Sequence, residues 1–368
     1  RGAADDLPLQ DWLQKRIWPL EGKLVGPAFV ADGALLAAYE MLIGGTTCFN
    51  DMYFFPEAAV EAARALGMRS SHGIIVIDFP SAYASTAADY LRKGLELRDQ
   101  HRGDPMVSFC LAPHAPYSVG DDALRQVAIL SGELGLPIHV HLHETAAEIE
   151  ESLAKHGKRP LERLDALGLV GPELIAVHAV HMTDTDLRRL AAGGASVAHC
   201  PHSNLKLASG IAPVARMLDL GIRVGLGTDS SASNNRLDLL QEARTAALLA
   251  KGASGRADCW PAAQVLRAMT LDAAAALGLD DRIGSIEPGK RADLVAIDLS
   301  AAELSPVFDP ISQLVYAAGR EHVQHVWVDG AHVVQKRQLT AIAARDAVSG
   351  VVGRSALWHN RACELLSG

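Results

Sequence analysis

Residues 138–144 read Ile-His-Val-His-Leu-His-Glu. The histidines, His139, His141 and His143, recur at period two, so on a strand all three face one way. Burying three imidazoles on one face is costly unless something binds them. His139 and His141 form a candidate metal pair, and Glu144, just past the run, is a candidate general acid or base. A second apolar run ends in His178, with His181 three residues on. A third, Ile222 to Leu226, stops at Gly227-Thr228-Asp229 and passes into a small polar loop, Ser230 to Asn235. Asp229 reads either as a metal ligand and proton carrier or as the cap of the following helix. His114 lies between prolines in Pro113-His114-Ala115-Pro116-Tyr117, while His199 and His202 read as structural parts of a pocket-lining loop. Imidazole nitrogen with one carboxylate suits zinc or iron better than calcium or magnesium. Zinc with an open position lowers the pKa of a bound water to about 7, so the chemistry expected is hydrolysis.

These residues need a scaffold that brings several strand ends together. Strand-like runs fall at Thr46–Met52, Ser70–Ile77, Met106–Ala112, Pro137–His143, Leu174–His178, Ala195–His199 and Arg223–Thr228. Helix-like stretches lie between them, near 56–66, 86–100, 121–134, 145–167, 184–192, 212–220 and 237–251. A further helical pattern covers 30–43, and residues 1–26 read as a polar-aromatic lead-in. Candidate groups at the C-terminal ends of several different strands are the habit of a (β/α)8 TIM-type barrel. A doubly wound sheet would gather them at one switch point, and no Gly-rich nucleotide loop is present. Such a barrel has eight strands and seven are visible, so the expectation is a barrel lacking its first strand. After helical sequence at 261–277, a turn at 284–293 leads into a strand at 294–298. A strand pair, Val323–Val328 and His332–Lys336, flanks a hairpin turn at Asp329-Gly330. The organisation expected is an α/β barrel over 1–282, part of a small β-sandwich over 283–340, and a final helix over 341–368.

The chain has 368 residues, 49% of them hydrophobic, enough for a sizeable core. A net charge of −9 argues against a grip on nucleic-acid phosphates. No apolar run nears the roughly 20 residues of a membrane span. The five cysteines, Cys48, Cys110, Cys200, Cys259 and Cys363, include no C-x-x-C pair. Reduced thiols in a cytoplasmic protein are expected.

Several of these stretches together resemble the amidohydrolase superfamily, in its branch of aminohydrolases and chlorohydrolases. They are His-Leu-His-Glu (141–144), His-Ala-Val-His (178–181), Ser-Asn-Leu-Lys-Leu-Ala-Ser-Gly-Ile-Ala-Pro (203–213), Gly-Thr-Asp-Ser-Ser-Ala-Ser-Asn-Asn (227–235) and Gly-Ser-Ile-Glu-Pro-Gly-Lys-Arg-Ala-Asp-Leu (284–294). Within it the chain is most similar to the 5'-methylthioadenosine/S-adenosylhomocysteine deaminases, on Trp18-Pro19-Leu20-Glu21 and the His114 loop. The resemblance selects His141 over His139 and His178 over His181. It implies one catalytic metal, zinc or alternatively iron, held by His141, Asp229 and an H-x-H pair. That pair would precede a Leu-Arg-Gly, of which Arg1-Gly2 looks like the end. The expectation is an N-terminally incomplete chain that alone binds metal weakly and is inactive.

For the complete protein the resemblance implies hydrolytic deamination of an adenine ring to hypoxanthine, with loss of ammonia. Activated water attacks C6, Asp229 carries its proton to the departing amine, Glu144 protonates ring N1, and His178 holds the water. Glu21 would grip the ribose hydroxyls, and His114 would bond the nucleoside. Trp12 or Trp18 would wall the pocket, and Ser233 would line it. Between 72 and 102 only Arg92, Arg98 and Arg102 are available for a substrate carboxylate, all in helix-like sequence, so a short apolar 5'-group is expected. The partner is a small nucleoside, with a homo-oligomer left open. Guanine deamination, s-triazine hydrolysis, and a non-catalytic barrel serving as a binding subunit are the alternatives.

Overall fold

The structure is a computed structural model that describes residues 1–367; Gly368, the last residue of the expected final helix, lies outside them. Seven parallel strands form one curled sheet in sequential order. They are β1 (Cys48–Asp51), β2 (Arg69–Val76), β3 (Val107–Pro113), β4 (Ile138–Leu142), β5 (Leu174–His178), β6 (Ser196–His199) and β7 (Arg223–Leu226). Every strand lies within two residues of its expected limits. Composition explains β3 and β5, whose Val- and Leu-bearing runs show little polar interruption; β4 is legible by strict alternation, and β1 and β2 by the Gly- and Pro-marked turns and helical patterns around them. All of β2 and β5 is buried. Because the strands are parallel, all their C-terminal ends, and the loops after them, lie on one rim. With helices between consecutive strands, the fold is an α/β barrel of the TIM type with a small second sheet. Among the described residues β1 and β7 are the edges of the large sheet.

Within the large sheet β4 alternates, with Ile138, Val140 and Leu142 buried and His139 and His141 half-buried on the opposite face. His143 departs from expectation. The strand ends at Leu142, and His143 has φ 55°, a left-handed turn that swings its ring away from its two neighbours. Its Nε2 accepts the backbone N–H of Leu161 at 3.0 Å. Only two of the three histidines therefore share a face.

The second sheet is antiparallel, in the order β11-β10-β9-β8, with β8 (Leu294–Ile297), β9 (Val323–Val328), β10 (Ala331–Gln335) and β11 (Gln338–Leu339). Asp329 and Gly330 both have positive φ, as a two-residue hairpin between right-twisted strands requires. Val326, Val328, Val333 and Val334 pack on Leu35, Leu42, Leu66 and Met68, and on Val348 and Val351 of the final helix, Ile342–Ser367. Arg69, at the start of β2, clamps the sheet through a buried ion pair to Asp293 at 2.8 Å.

The lead-in is more ordered than its sequence suggests. Leu9–Leu24 is helical throughout, with a π-helical turn at Leu13–Ile17. The stretch 145–167 is two helices, Ala146–His156 and Pro160–Ala166, separated where Gly157 adopts φ 64°. No single helix among the described residues is long and apolar enough to cross a membrane; only the pair Leu9–Leu24 and Pro27–Ile43 reaches that length and hydropathy together, bent by 115°.

Candidate active site

His141 leaves β4 with its Nδ1 2.6 Å from the carbonyl oxygen of His114. A carbonyl only accepts, so Nδ1 carries the proton and Nε2 keeps its lone pair. That is the tautomer and the support a metal-binding imidazole uses. The His178 ring, from the end of β5, stacks on it at 5.5 Å between centroids and 17° between planes. His178 Nδ1 lies 2.8 Å from Asn204 Oδ1, which leaves its Nε2 as an acceptor 3.6 Å from Glu144 Oε2. His178 and Ala179 both have positive φ, so the chain turns sharply as it leaves the strand.

Asp229 reaches the same region from the end of β7. Ser203 and Ser233 donate to its Oδ2 at 2.6 and 2.7 Å, and the backbone N–H of Ser230 donates to Oδ1 at 2.7 Å. Burial pushes its carboxyl up, but His178, His141 and the two hydroxyls outweigh that and hold it below the ordinary carboxylate value. Ser233 thus stands behind Asp229 as a hydrogen-bond donor. The helix-cap alternative does not hold for Asp229: the next helix, Leu239–Ser254, is capped by Asp238.

Glu144 is buried and raised to about 7 by that burial, with the Asp229 charge adding to it and His141 opposing. Its backbone is fixed by Glu148, which accepts the N–H of Glu144 at 2.8 Å and that of His143 at 3.1 Å. Thr145 caps the helix that carries Glu148, accepting the Glu148 N–H at 3.3 Å. His114 Nδ1 lies 2.8 Å from Ser118 Oγ, whose own proton goes to the Ala115 carbonyl, so His114 Nε2 is left as an acceptor. Burial, with His141 nearby, lowers His114 to about 3 and keeps it neutral.

The remaining histidines sort by partner. His181 Nε2 lies 2.8 Å from the Ser209 carbonyl and secures that loop. His202 Nδ1 lies 2.8 Å from Glu242 Oε1, and Glu242 also takes Asn234 Nδ2 at 2.5 Å, tying the loop after β6 to the loop after β7. Both are structural. His139 and His199 are neutral, each lowered to about 3 chiefly by burial, and their Nδ1 atoms have no hydrogen-bond partner in the described protein.

Glu21 sits over the end of β1, where Tyr53 donates to its Oε1 at 2.7 Å. Trp12 packs with Ala4, Leu9, Leu13 and Leu207, beside Ala232. Of the two tryptophans, Trp18 is the one on a cleft of about 510 Å³, with Gln14, Phe79, Tyr117 and Lys155. That cleft lies to the side of the histidine cluster, linked to it by the Tyr117 ring, 5.8 Å from that of His114. Arg92 is exposed and paired with Asp89 and Glu96, Arg98 pairs with Asp99, and Arg102 lies near Asp99; none lines the cleft. Tyr53 carries no sequence signal of its own, since it acts on Glu21, 32 residues away. Ser203 and Asn204 lie in the 203–213 stretch, and Glu148 follows Thr145 by three residues as a helix-cap pattern does, but their partners show only in the fold.

A parallel barrel with His141, His178, Glu144 and Asp229 on one rim defines a class, and comparison agrees with it. The chain belongs to the amidohydrolase family, whose model matches residues 1–333; the family is metal-dependent. Over 364 residues it is 46% identical to a 5-methylthioadenosine/S-adenosylhomocysteine deaminase of Teredinibacter turnerae, covering 98% of this chain and 81% of the relative. The protein of that name in Saccharophagus degradans is 47% identical over 349 residues, 95% of this chain and 78% of the relative. A solved adenosine deaminase of Xanthomonas campestris with bound zinc superposes with a TM-score of 0.95 at 48% identity, covering 99% of this chain and 82% of that one.

The donors fit a metal of that kind. His141 Nε2 has no hydrogen-bond partner among the described residues and its ring is oriented from behind, while Asp229, whose carboxyl His141 and His178 help to hold below its ordinary value, lies close enough to feel it. Among the described residues no group of three or more His, Cys, Asp or Glu is arranged to hold an ion, so His141 and Asp229 by themselves are not a closed site.

Proposed function

We propose that the metal-loaded protein hydrolyses the C6–N bond of an adenine nucleoside, releasing ammonia and leaving a hypoxanthine ring. A hydrolase acting on C–N bonds is what its family and its deaminase relatives support. The observation that carries the finer reading is a pair of carboxyls on one rim with opposed proton affinities. Glu144 is raised to about 7, and Asp229 is held below its usual value. Two titratable groups pushed apart in this way mark an acid and a base.

His141 and Asp229 would hold the metal, zinc on this reading, with iron the alternative for the same donors. When bound, it supplies a water nucleophilic at neutral pH. Asp229 accepts a proton from that water and delivers it to the departing amine. Glu144, in its acid form, protonates ring N1 and makes C6 electrophilic. His178 Nε2 accepts a hydrogen bond from the water and orients it. A C6–O bond forms, the C6–N bond breaks as the amine leaves as ammonia, and the proton remaining on the C6 oxygen returns to the Glu144 carboxylate, leaving a C6 carbonyl. Glu144 and His178 are buried and His141 and Asp229 half-buried, which strengthens each interaction and limits the water that reaches the ring.

Glu21 would take the ribose 2'- and 3'-hydroxyls, since a carboxylate can accept two donors at once. His114 Nε2 offers one further acceptor to the nucleoside. The Trp18 and Phe79 rings, edge to face at 6.4 Å on the adjoining cleft, suit a short apolar 5'-substituent such as methylthio. Cys48, Cys110, Cys200 and Cys259 are free thiols, in keeping with a cytoplasmic setting.

The test is turnover by the zinc-loaded protein with 5'-methylthioadenosine, adenosine, guanine and an s-triazine side by side. The reading expects ammonia from the two adenosines only. Turnover of guanine or the triazine alone would move the activity to another ring. No turnover of any of them, together with a protein that takes up no zinc on loading, would favour a binding module.

A further inference from the structure

Tyr53 lies two residues past β1, on the loop that β1 delivers to the rim. Its hydroxyl donates to Glu21 Oε1 at 2.7 Å, across 32 residues of sequence. Among the described residues this is the one hydrogen bond to the Glu21 side chain, and no Lys, Arg or His forms an ion pair with it. A largely buried carboxylate without a cation is costly. Desolvation raises the Glu21 pKa and the Tyr53 hydroxyl opposes that rise. The phenol itself is held well above its ordinary value, by burial first and then by the Glu21 charge, so it remains a donor.

We propose that Tyr53 is the positioning residue for the ribose grip: its hydroxyl fixes the Glu21 carboxylate so that Oε2, and the second lone pair of Oε1, face a vicinal diol. This rests on the reading of Glu21 as the ribose ligand. The geometry supplies both halves of the requirement. One oxygen is anchored from the barrel side by a short bond to a neutral donor. The other oxygen has no partner in the described protein, and the ligand that completes it is a pair of neutral hydroxyls rather than a cation. The Tyr53 ring lies 5.5 Å from that of Phe54, which itself packs on Tyr90 and the cluster of Ile75 and Ile77, so the loop that carries the anchor is tied to the fold. Tyr53 touches no reacting atom and acts only through Glu21.

The experiment compares the holoenzyme with its Tyr53→Phe and Glu21→Gln variants on adenosine and on 2',3'-dideoxyadenosine. Binding of the products, inosine and 2',3'-dideoxyinosine, is measured in parallel by titration calorimetry. For Tyr53→Phe the expected result is a KM for adenosine and a Kd for inosine each raised about tenfold, the scale of one hydrogen bond to a charged group. The expected kcat stays within about twofold, and both dideoxy compounds are unaffected. Unchanged dideoxy binding also reports that the variant is folded. Equal losses on both sugars, or no loss on either, would overturn the role of Tyr53. If Glu21→Gln fails to separate the two sugars, the ribose reading of Glu21 itself falls. If Glu21→Gln separates them and Tyr53→Phe does not, only the present inference falls.

Discussion

The carboxylate of Glu148 accepts the backbone N–H of Glu144 at 2.8 Å. With its other oxygen on the N–H of His143 at 3.1 Å, it holds both residues as they leave β4. The sharp turn at His143 sends that ring outward and Glu144 inward, and Glu148 stabilises this turn from the first turn of the next helix.

Glu148→Gln therefore tests how closely Glu144 must be placed. A side-chain amide offers one acceptor where the carboxylate offers two, so one buried N–H is left without a partner. The expected cost is about 1–3 kcal/mol of stability, read by chemical denaturation. A shift of the acid by a fraction of an ångström lowers kcat/KM by up to about a hundredfold. Wild-type kinetics in a destabilised variant would show that Glu148 supports the fold but not the acid.

The pH profile follows from the Glu144 carboxyl. Burial raises it to about 7. The acid form does the work, so it is present below that value and lost as pH rises through it. kcat/KM falls by about tenfold per pH unit on that limb. Glu144→Gln removes the limb together with most of the activity. A wild-type profile flat through the neutral and mildly alkaline range would exclude Glu144 as the proton donor.

Asp229→Asn separates ligand and proton carrier from scaffold. The amide oxygen can still accept from Ser203 and Ser233, while the amide nitrogen meets the Ser230 N–H, which loses its acceptor. A loss of about 1–2 kcal/mol in stability is expected. Turnover falls by about a thousandfold or more, since an acid-base group is removed. Near-normal activity in that variant would undo the mechanism.

The barrel is legible because short strand-like runs, most of them apolar, alternate with amphipathic helical stretches and stop at a histidine, a carboxylate or a turn, and periodicity carries that information. Punctuation at strand ends marks His139, His141, His178, His181 and Asp229 as candidates for the same reason, while the choice of His141 over His139 and of His178 over His181 rests on the family resemblance. The Leu9–Leu24 helix is not legible: its π-helical turn breaks the 3.6-residue pattern, and Pro19 near the start of its last segment reads as a break. His143 is not on the face that strand alternation predicts, because the strand ends one residue earlier, at the φ of 55° that turns the chain. Tyr53 with Glu21, and Asn204 with His178, join residues 32 and 26 apart through single hydrogen bonds. No local pattern specifies such a pair, and only the folded barrel brings the two together.

The most direct test of the central claim follows the atoms. The zinc-loaded protein is given 5'-methylthioadenosine in water enriched in heavy oxygen, and both products are analysed by mass spectrometry and ammonia assay. The account predicts an intact nucleoside with one solvent oxygen at C6 and one ammonia released per substrate consumed. Free adenine with no ammonia, or a nucleoside product without solvent oxygen, would contradict it.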